Sequence, residues 1–492
     1  MLRRTFPTMF VVAAVAASTA VAVGKETSRK PNLLFVFSDQ QSSDMLGCYG
    51  NDQIVTPNID KLAAEGVRFN HCVSSCPVCT PYRGMLLSGQ HPLYNGCMVN
   101  DMQLLPGNGK HFGEVLRDAG YHTGYIGKWH LYGGLRGRPI PAGPLRYGFD
   151  HEFFSNNCTV KFGARDAFYW DENGERRKLG KWEPDGQTDQ AIDFIDQYAG
   201  KQPFALFVSW HPPHNWGSGY PAPPEYEKLY DAGKIKLRPS CSDTQKSRAE
   251  YRGYMAMCTN LDDNFGRLLK KLDEKGVRDN TLVVYTSDHG DLLRSHCIHD
   301  WHKSRPEHVS CRVPLILSRL VKLSPRVCEM PVGTLDLMPT LLGLLGIEPP
   351  DTCQGSNYAD ALMEGRDLPG RSVPLFFWGA KSDWRGVYTE RYTYAFEPDS
   401  STIGINVLYD RQEDPHELTN LFDSPDHHKV REDLHALTKK WMEKFRDEHV
   451  PFDAVKQKVY VDPAAARAPW SPHGVESAAL KGRPVDLLGA PK

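Results

Sequence analysis

Three runs of apolar residues, each followed at once by polar residues, limit the folds open to this chain more than any other feature. They lie at 32–37, 204–208 and 281–285. Uninterrupted runs of this length are typical of strands that are covered on both faces, as in the parallel sheets of α/β proteins. Helical patterns separate the runs, for example at 112–119 and 248–275. The sequence therefore predicts an α/β domain whose mainly parallel sheet lies between layers of helices.

The pattern changes after Pro350. Short strand-like runs follow, beginning at 384–396, and 425–448 has the charged, amphipathic pattern of a helix. We therefore predict a catalytic α/β domain at 23–369 and a C-terminal subdomain at 370–492. That subdomain is expected to contain short strands, one helix and a coil tail rich in Pro, Ala and Gly.

The first residues have the pattern of an export signal. Arg3 and Arg4 precede an apolar run at 9–23 that is rich in alanine and valine, and 20–22 form an A-x-A cleavage site. This run is too short for a membrane span, and no other apolar run approaches the necessary length. We expect 1–22 to be a signal peptide and the mature protein to be periplasmic or secreted, with no stable membrane span.

The charge balance of the chain is relevant to whether it binds nucleic acid. The chain has 58 basic and 60 acidic residues, for a formal net charge of -2. No block of basic residues stands out from the rest of the sequence. Nothing in the charge pattern therefore favours nucleic acid as a partner.

Side chains suited to catalysis or metal binding follow the predicted strands. In chain order they are Asp39, Gln40, Lys128, His130, His214, Asp288 and His289. Ligands of open α/β sheets bind beyond the carboxyl ends of the strands, so we expect these residues in one crevice. An aspartate after a strand can also cap a helix or close a turn, which is the structural alternative. The joint placement favours a site for calcium or magnesium, and the histidine nitrogens leave manganese or zinc open.

A second group of candidates lies in the segment 75–89. Cys76 and Cys79 are three residues apart, and Pro81 and Arg83 follow the second cysteine. A redox pair does not explain the arginine, a zinc site lacks an obvious second cysteine pair, and a structural role for a buried cysteine stays open. Pro81 fits the first turn of a helix, where free N–H groups bind anions. A nucleophile at Cys79, one turn from Arg83 and facing a cation, would suit an oxyanion ester.

Residues 79–89 read CTPYRGMLLSG and resemble the type I sulfatase signature, C-x-P-S-R-x-x-x-x-T/S-G, with Tyr82 where the family favours serine. Further blocks are similar to family blocks at 31–40, 56–60, 127–130, 279–290, 336–340, 408–410 and 414–421. The resemblance thus covers nearly the whole mature chain. It implies an alkaline-phosphatase-like fold, with a large mixed sheet between helices and a small C-terminal antiparallel sheet of four strands.

The resemblance also implies a modified nucleophile. Before the protein folds, a formylglycine-generating enzyme would oxidise Cys79 to formylglycine (3-oxoalanine). The aldehyde of this residue would then hydrate to a gem-diol. One hydroxyl would attack sulfur and displace the alcohol, and the second would then lose its proton and expel sulfate, which restores the aldehyde. By matching, the ligands of one divalent metal, Ca²⁺ or alternatively Mg²⁺ or Mn²⁺, would be Asp39, Gln40, Asp288, His289 and Cys79. Gln40 stands where many members have Asp, so this metal site carries one negative charge fewer.

The remaining roles are also carried over from the family. Arg83 would hold the hydrated aldehyde, and Lys128 and Lys303 would bind sulfate oxygens. His130 would take the proton of the second hydroxyl, and His214 would protonate the leaving alcohol. Lys303 is placed by alignment, nine residues before Arg312. Its neighbours are further candidates for substrate contact, namely His296, His299, His302 and His308.

The predicted function is hydrolysis of a sulfate ester, with a sulfated carbohydrate as the substrate class. A formylglycine-dependent phosphonate monoester or phosphodiester hydrolase is the alternative, and the pair Lys128 and His130 favours sulfate over it. A non-catalytic glycan-binding relative is opposed by the intact set of basic and metal-binding residues. A cysteine-based redox protein is opposed by Pro81 and Arg83. The loops expected to determine specificity lie at 100–105, 136–147 and 216–238.

Overall fold

The computed structural model describes residues 30–449, except 135, 216, 218, 299–301, 319–322, 380–381 and 398–403. The predicted signal peptide at 1–22 and most of the predicted coil tail lie outside the described residues. Among the described residues, no helix combines the length and apolar character needed to cross a membrane.

The secondary structure alternates strands and helices over most of the described chain. The strands are β1 (Asn32–Asp39), β2 (Val67–Phe69), β3 (Cys72–Val73), β4 (His122–Gly127), β5 (Glu152–Phe154), β6 (Phe168–Trp170), β7 (Arg176–Lys178), β8 (Phe204–Pro213), β9 (Thr281–Ser287), β10 (Arg312–Val313), β11 (Leu315–Leu317), β12 (Arg326–Cys328), β13 (Val332–Gly333), β14 (Ser372–Phe377), β15 (Trp384–Thr389), β16 (Tyr392–Phe396) and β17 (Val407–Asp410). The helices are α1 (Pro57–Glu65), α2 (Cys79–Ser88), α3 (Pro92–Asn95), α4 (Phe112–Asp118), α5 (Glu183–Tyr198), α6 (Pro224–Glu227), α7 (Gln245–Glu274), α8 (His308–Cys311), α9 (Thr334–Leu344), α10 (Ala359–Met363) and α11 (His428–Lys444).

Eight strands form one large mixed sheet in the order β12-β2-β11-β9-β1-β8-β4-β5. The strands from β9 to β5 in this order are parallel to one another, whereas β11 runs antiparallel to both β9 and β2. The three apolar runs of the sequence become the adjacent strands β9, β1 and β8. In this register Phe35 of β1 lies opposite Phe207 and Val284. The predicted large mixed sheet is confirmed.

Successive side chains of β1 point to opposite faces of the sheet, and helices cover both faces. Phe35 and Phe37 pack in the core that contains residues of α2, α4 and α9. Leu34 and Val36 pack in the core that contains residues of α1, α5 and α7. All four are at most 1% exposed, and burying each side chain contributes about 1.5–3 kcal/mol. This double coverage explains why the strand is an uninterrupted apolar run.

The strands β14–β17 form a separate antiparallel sheet in sequential order, which confirms the predicted small sheet. Helix α11 covers one face of it, where Leu434 and Met442 pack against Val387 and Leu408. The helix begins later than predicted, at His428, because a 3₁₀ turn occupies Pro425–His427. The small sheet contacts the large domain through Trp384, whose Nε1 donates to the carbonyl oxygen of Ser304 at 3.2 Å.

Candidate functional site

The carboxyl ends of four adjacent strands bring the predicted site residues to one edge of the large sheet. Asp39 ends β1, Asp288 follows β9, Lys128 follows β4 and His214 follows β8. Because the order of these strands is β9-β1-β8-β4, their ends are neighbours in space. The residues that were expected to share one crevice therefore lie at one edge of the sheet.

Cys79 is the first residue of α2 and lies at the centre of this group. Its side chain is 1% exposed. Pro81 lies in the first turn, as predicted, and the Asn100 side chain accepts the free N–H of Thr80 at 3.1 Å. Four groups surround the sulfur. From Sγ the distances are 3.1 Å to Lys303 Nζ, 3.3 Å to His289 Nε2, 3.5 Å to Lys128 Nζ and 3.8 Å to Asp39 Oδ1.

Four of the five predicted metal ligands, all except Gln40, form one buried cluster. Ligand atoms of Asp39, Cys79, Asp288 and His289 all lie within 4.8 Å of one another. His289 Nδ1 is 2.9 Å from its acceptor, the carbonyl oxygen of Gly290, so in the neutral ring the other nitrogen keeps its lone pair for the cluster. That nitrogen, Nε2, lies 3.6 Å from Asp39 Oδ1 and 3.5 Å from Asp288 Oδ1. Two carboxylates and one neutral imidazole aimed at a common point fit a divalent cation.

Arg83 lies one helical turn after Cys79 and is fully enclosed. Its guanidinium donates to Asp288 Oδ2 from Nε at 3.2 Å and from Nη2 at 3.0 Å. Nη1 donates to the Lys128 carbonyl oxygen at 2.7 Å and to Ser209 Oγ at 2.8 Å. The arginine thus fixes the Asp288 carboxylate and joins α2 to the ends of β4 and β8.

Two lysines carry positive charge into the site. Lys128 donates to Asp39 Oδ2, and Lys303 donates to the Gln40 side-chain oxygen at 3.1 Å. Burial and the nearby Cys79 sulfur oppose ionisation of Asp39, but Lys128 and other cations outweigh them and lower its pKa. Burial likewise opposes the thiolate of Cys79, and the two lysines reverse the effect, so the Cys79 pKa falls well below its usual value. The site is therefore built to hold negative charge at the position of Cys79.

Two histidines border the group on different sides. His214 Nε2 lies 3.2 Å from Lys303 Nζ, and burial together with that lysine lowers the pKa of His214. His130 Nε2 lies 3.0 Å from Asp101 Oδ1. Burial opposes a charge on His130, but Cys158, Asp101 and Cys79 together raise its pKa to about 10.

The additional histidines proposed for substrate contact are dispersed. His302 Nδ1 lies 3.0 Å from the Tyr220 hydroxyl, beside the site. His308 pairs with Glu417 and His296 lies against Tyr409, so both contact the C-terminal subdomain. His299 lies outside the described residues.

Sequence reasoning missed several polar residues that support the site. They are Asp101, Asn157, Ser209, Tyr220 and Asp291. Asp101 and Tyr220 lie in loops that we assigned to substrate specificity, at 100–105 and 216–238, and Asp291 lies just beyond the Asp288–His289 pair; these are signals that could have found them. Asn157 accepts the backbone N–H of His130 through its side-chain oxygen at 3.1 Å, a contact that no local pattern predicts.

Comparison with known proteins gives two family matches. The Sulfatase family model matches residues 31–347, and the model for the C-terminal part of N-sulphoglucosamine sulphohydrolase matches residues 298–444. The matches together span the large sheet, the site and the small sheet.

Individual relatives agree with these matches. The chain is 32% identical over 431 residues to the ulvan-active sulfatase of Formosa agariphila, covering 85% of this chain and 82% of that protein. It is 26% identical to the N-acetylglucosamine-6-O-sulfatase of Bacteroides thetaiotaomicron, over 89% of this chain and 90% of that one. The solved structure of YidJ from Bacteroides fragilis, described as a sulfatase, superposes with a TM-score of 0.78 at 32% identity, over 85% of this chain and 97% of that one.

The agreement extends over the core fold, from β1 to α9, and over the described site residues that follow its strands. On this basis the chain belongs to the sulfatase family and is a sulfuric ester hydrolase.

Proposed function

We propose that this protein is an exported sulfatase that removes sulfate from a sulfated carbohydrate through a formylglycine at position 79. The proposal rests on the groups around Cys79 Sγ. The ammonium groups of two lysines, a carboxylate oxygen of Asp39 and Nε2 of His289 all lie within 3.8 Å of this sulfur. A nucleophile there can face an anionic ester that the lysines bind. The relatives described above include an ulvan-active enzyme and a sugar O-sulfatase, which supports a carbohydrate substrate.

Asp39, Gln40, Asp288 and His289 would hold one divalent cation, with Cys79 beside it. Their oxygen-rich composition favours Ca²⁺, with Mg²⁺ or Mn²⁺ as alternatives. A bound cation would supply positive charge that stabilises oxygen at the nucleophile. Arg83 keeps the Asp288 carboxylate in place through two hydrogen bonds to Oδ2.

The chain's own residues perform the remaining tasks. Lys128 and Lys303 bind the sulfate oxygens, since both ammonium groups lie within 3.5 Å of the nucleophile position. His214 donates a proton to the leaving oxygen from Nε2, because its Nδ1 is engaged with the Asn215 carbonyl oxygen at 2.7 Å. The negative charge of the arriving sulfate offsets Lys303 and favours this protonated form.

His130 takes the proton of the second hydroxyl when sulfate is released. It must be neutral to do so, and its pKa of about 10 reflects several anionic neighbours. Conversion of Cys79 to an aldehyde removes one of these anionic groups. The modification itself requires a formylglycine-generating enzyme as a partner during maturation.

A matched substrate panel tests the proposal. The protein is produced together with the maturing enzyme and assayed on sulfated sugars and on aryl sulfate, phosphate and phosphonate esters that share one leaving group. We expect kcat/KM to be highest for the sulfates, and Cys79→Ala to abolish that activity. A preference for the phosphonate or phosphate ester would contradict the proposal.

A further inference from the structure

Both ends of the Gln40 side-chain amide are fixed by hydrogen bonds. Its Nε2 donates to Asp291 Oδ2 at 2.7 Å and to Asn215 Oδ1 at 3.3 Å. Its Oε1 accepts from Lys303 Nζ at 3.1 Å. The same ammonium lies 3.1 Å from Cys79 Sγ and 3.4 Å from His289 Nε2, so the amide oxygen shares a neighbour with the metal cluster, whereas the NH₂ group is bonded to Asp291 and Asn215.

The reverse orientation of this amide would bring like groups together. The carbonyl oxygen of Gln40 would meet the Asp291 carboxylate, and its NH₂ group would meet the Lys303 ammonium. Neither contact is a hydrogen bond, because two acceptors or two donors would face each other. The network therefore sets which end of the amide is offered to a cation.

Asp291 is itself held from several sides and is fully buried. Its Oδ2 also accepts from the Tyr220 hydroxyl at 2.5 Å, and its Oδ1 accepts the N–H of Leu293 at 2.8 Å. His302 Nδ1 lies 3.4 Å from Oδ1. None of the roles assigned above to the reacting residues uses this carboxylate.

We propose that Asp291 is a positioning residue that turns the Gln40 oxygen toward the metal and compensates for the neutral ligand at this position. The proposal rests on the metal site of the proposed function. The Gln40–Asp291 bond is charge-assisted, and such a bond polarises the amide, which increases the negative charge on its oxygen. Asp291, one hydrogen bond farther from the metal, thus supplies the negative charge that Gln40 lacks.

The isosteric variant Asp291→Asn breaks this arrangement whichever way its amide points. Gln40 Nε2 donates to one oxygen of Asp291, and the Leu293 N–H donates to the other. The NH₂ group of the substituted asparagine replaces one of these two oxygens, so in either orientation of its amide it faces a hydrogen-bond donor. The double variant Gln40→Glu with Asp291→Asn restores the bond with its direction reversed. In this double variant the carboxylate moves to position 40 and the amide moves to position 291. Both side chains keep their shape, and the net charge of the pair stays the same.

Calorimetric titration of metal-stripped, folded proteins with Ca²⁺ tests the role. Loss of an outer partner of a metal ligand typically costs 10- to 100-fold in affinity, so we expect Asp291→Asn to raise the Kd for Ca²⁺ about tenfold or more. The double variant should recover most of that loss. Tyr220→Phe, which keeps the Gln40–Asp291 bond, is the matched control and should change the Kd much less.

The outcomes separate this role from the proposed function. Wild-type protein that binds no divalent cation overturns the metal site and this role together. Wild-type protein that binds Ca²⁺ while Asp291→Asn binds it equally tightly overturns only the role of Asp291. If Asp291→Asn does not fold, the double variant is compared with Gln40→Glu alone, which places two carboxylates in contact. Equal Ca²⁺ affinity in these two proteins would also overturn the proposal.

Discussion

His130 donates a hydrogen bond from Nε2 to Asp101, at a distance of 3.0 Å from Oδ1. Arg136 holds the same carboxylate through Nε at 2.8 Å and Nη2 at 2.7 Å. The other ring nitrogen of His130, Nδ1, is buried and has no hydrogen-bond partner within the part of the chain that the structure describes. The free nitrogen is therefore the one that can accept a proton in the site.

Asp101→Ala should slow the release of sulfate more than the attack on the substrate, because His130 loses the bond that orients its ring. Acid–base catalysis contributes roughly 100- to 10,000-fold, and we expect part of that factor to be lost. Intact-mass measurement after rapid quenching should then detect enzyme that retains a sulfate group. Arg136→Gln, which leaves the His130–Asp101 bond in place, is the control with the smaller effect. Slow turnover without accumulation of the sulfated enzyme would contradict this assignment.

Peptide mass spectrometry should find formylglycine at Cys79 and an unmodified thiol at Cys76, after production with the maturing enzyme. Cys79 is expected to be modified because only this cysteine precedes the Pro81 and Arg83 pattern. Cys76 is the internal control, since it lies three residues away and is equally buried. A free thiol at Cys79 in fully active protein would contradict the proposed modification.

Asp288→Ala should lose both the bound metal and the activity. The substitution removes one carboxylate from the cluster and leaves Arg83 without its partner at 3.0 Å. Elemental analysis alongside the sulfatase assay measures both effects. The matched control is Asp279→Ala. Asp279 is exposed and lies just before the first residue of β9, so this substitution should leave the bound metal and the activity unchanged. Metal-free enzyme that retains full activity would rule out the metal site.

His214→Ala should impair sugar sulfates far more than nitrophenyl sulfate. A sugar hydroxyl is a poor leaving group that needs a proton, whereas nitrophenolate leaves without one, and the acid contributes roughly 100- to 10,000-fold. Comparison of kcat on the two substrates measures the difference. Equal losses on both would show that His214 only binds sulfate, and would leave the acid role to another histidine, such as His211, which precedes it in β8, or His302.

Glu417 should make the fold sensitive to acid. It is buried, and burial opposes its ionisation, but His308 and Arg411 outweigh burial and lower its pKa from 4.5 to about 2. The charged form therefore stabilises the folded protein at neutral pH, and this contribution is lost as the pH falls from about 4.5 toward 2. A shift of this size corresponds to about 3 kcal/mol. Urea unfolding across this range should show a smaller pH dependence for Glu417→Gln than for wild type, and equal slopes would contradict the prediction.

The sequence predicts those parts of the molecule that leave a local pattern. The strands β1, β8 and β9 are continuous apolar runs because both faces are covered, and the residues that follow them, such as Asp39 and Asp288, lie at the crevice for topological reasons. Strands of two or three residues, such as β2 and β12, have no periodicity to detect. The contacts of Asp291 with Gln40 and of Asp101 with His130 join distant positions in the chain, so no local pattern could indicate them.

The order of strands also sets when the site can close during synthesis. Strand β1 lies at the centre of the sheet, yet both of its neighbours come much later in the chain, β8 beginning at Phe204 and β9 at Thr281. At roughly 5–20 residues per second, the ribosome needs about 10–40 s to extend the chain from Cys79 to the end of β9. During that time the cysteine cannot be enclosed by the finished sheet. The topology thus gives a modifying enzyme an interval in which to reach a thiol that the folded protein covers completely.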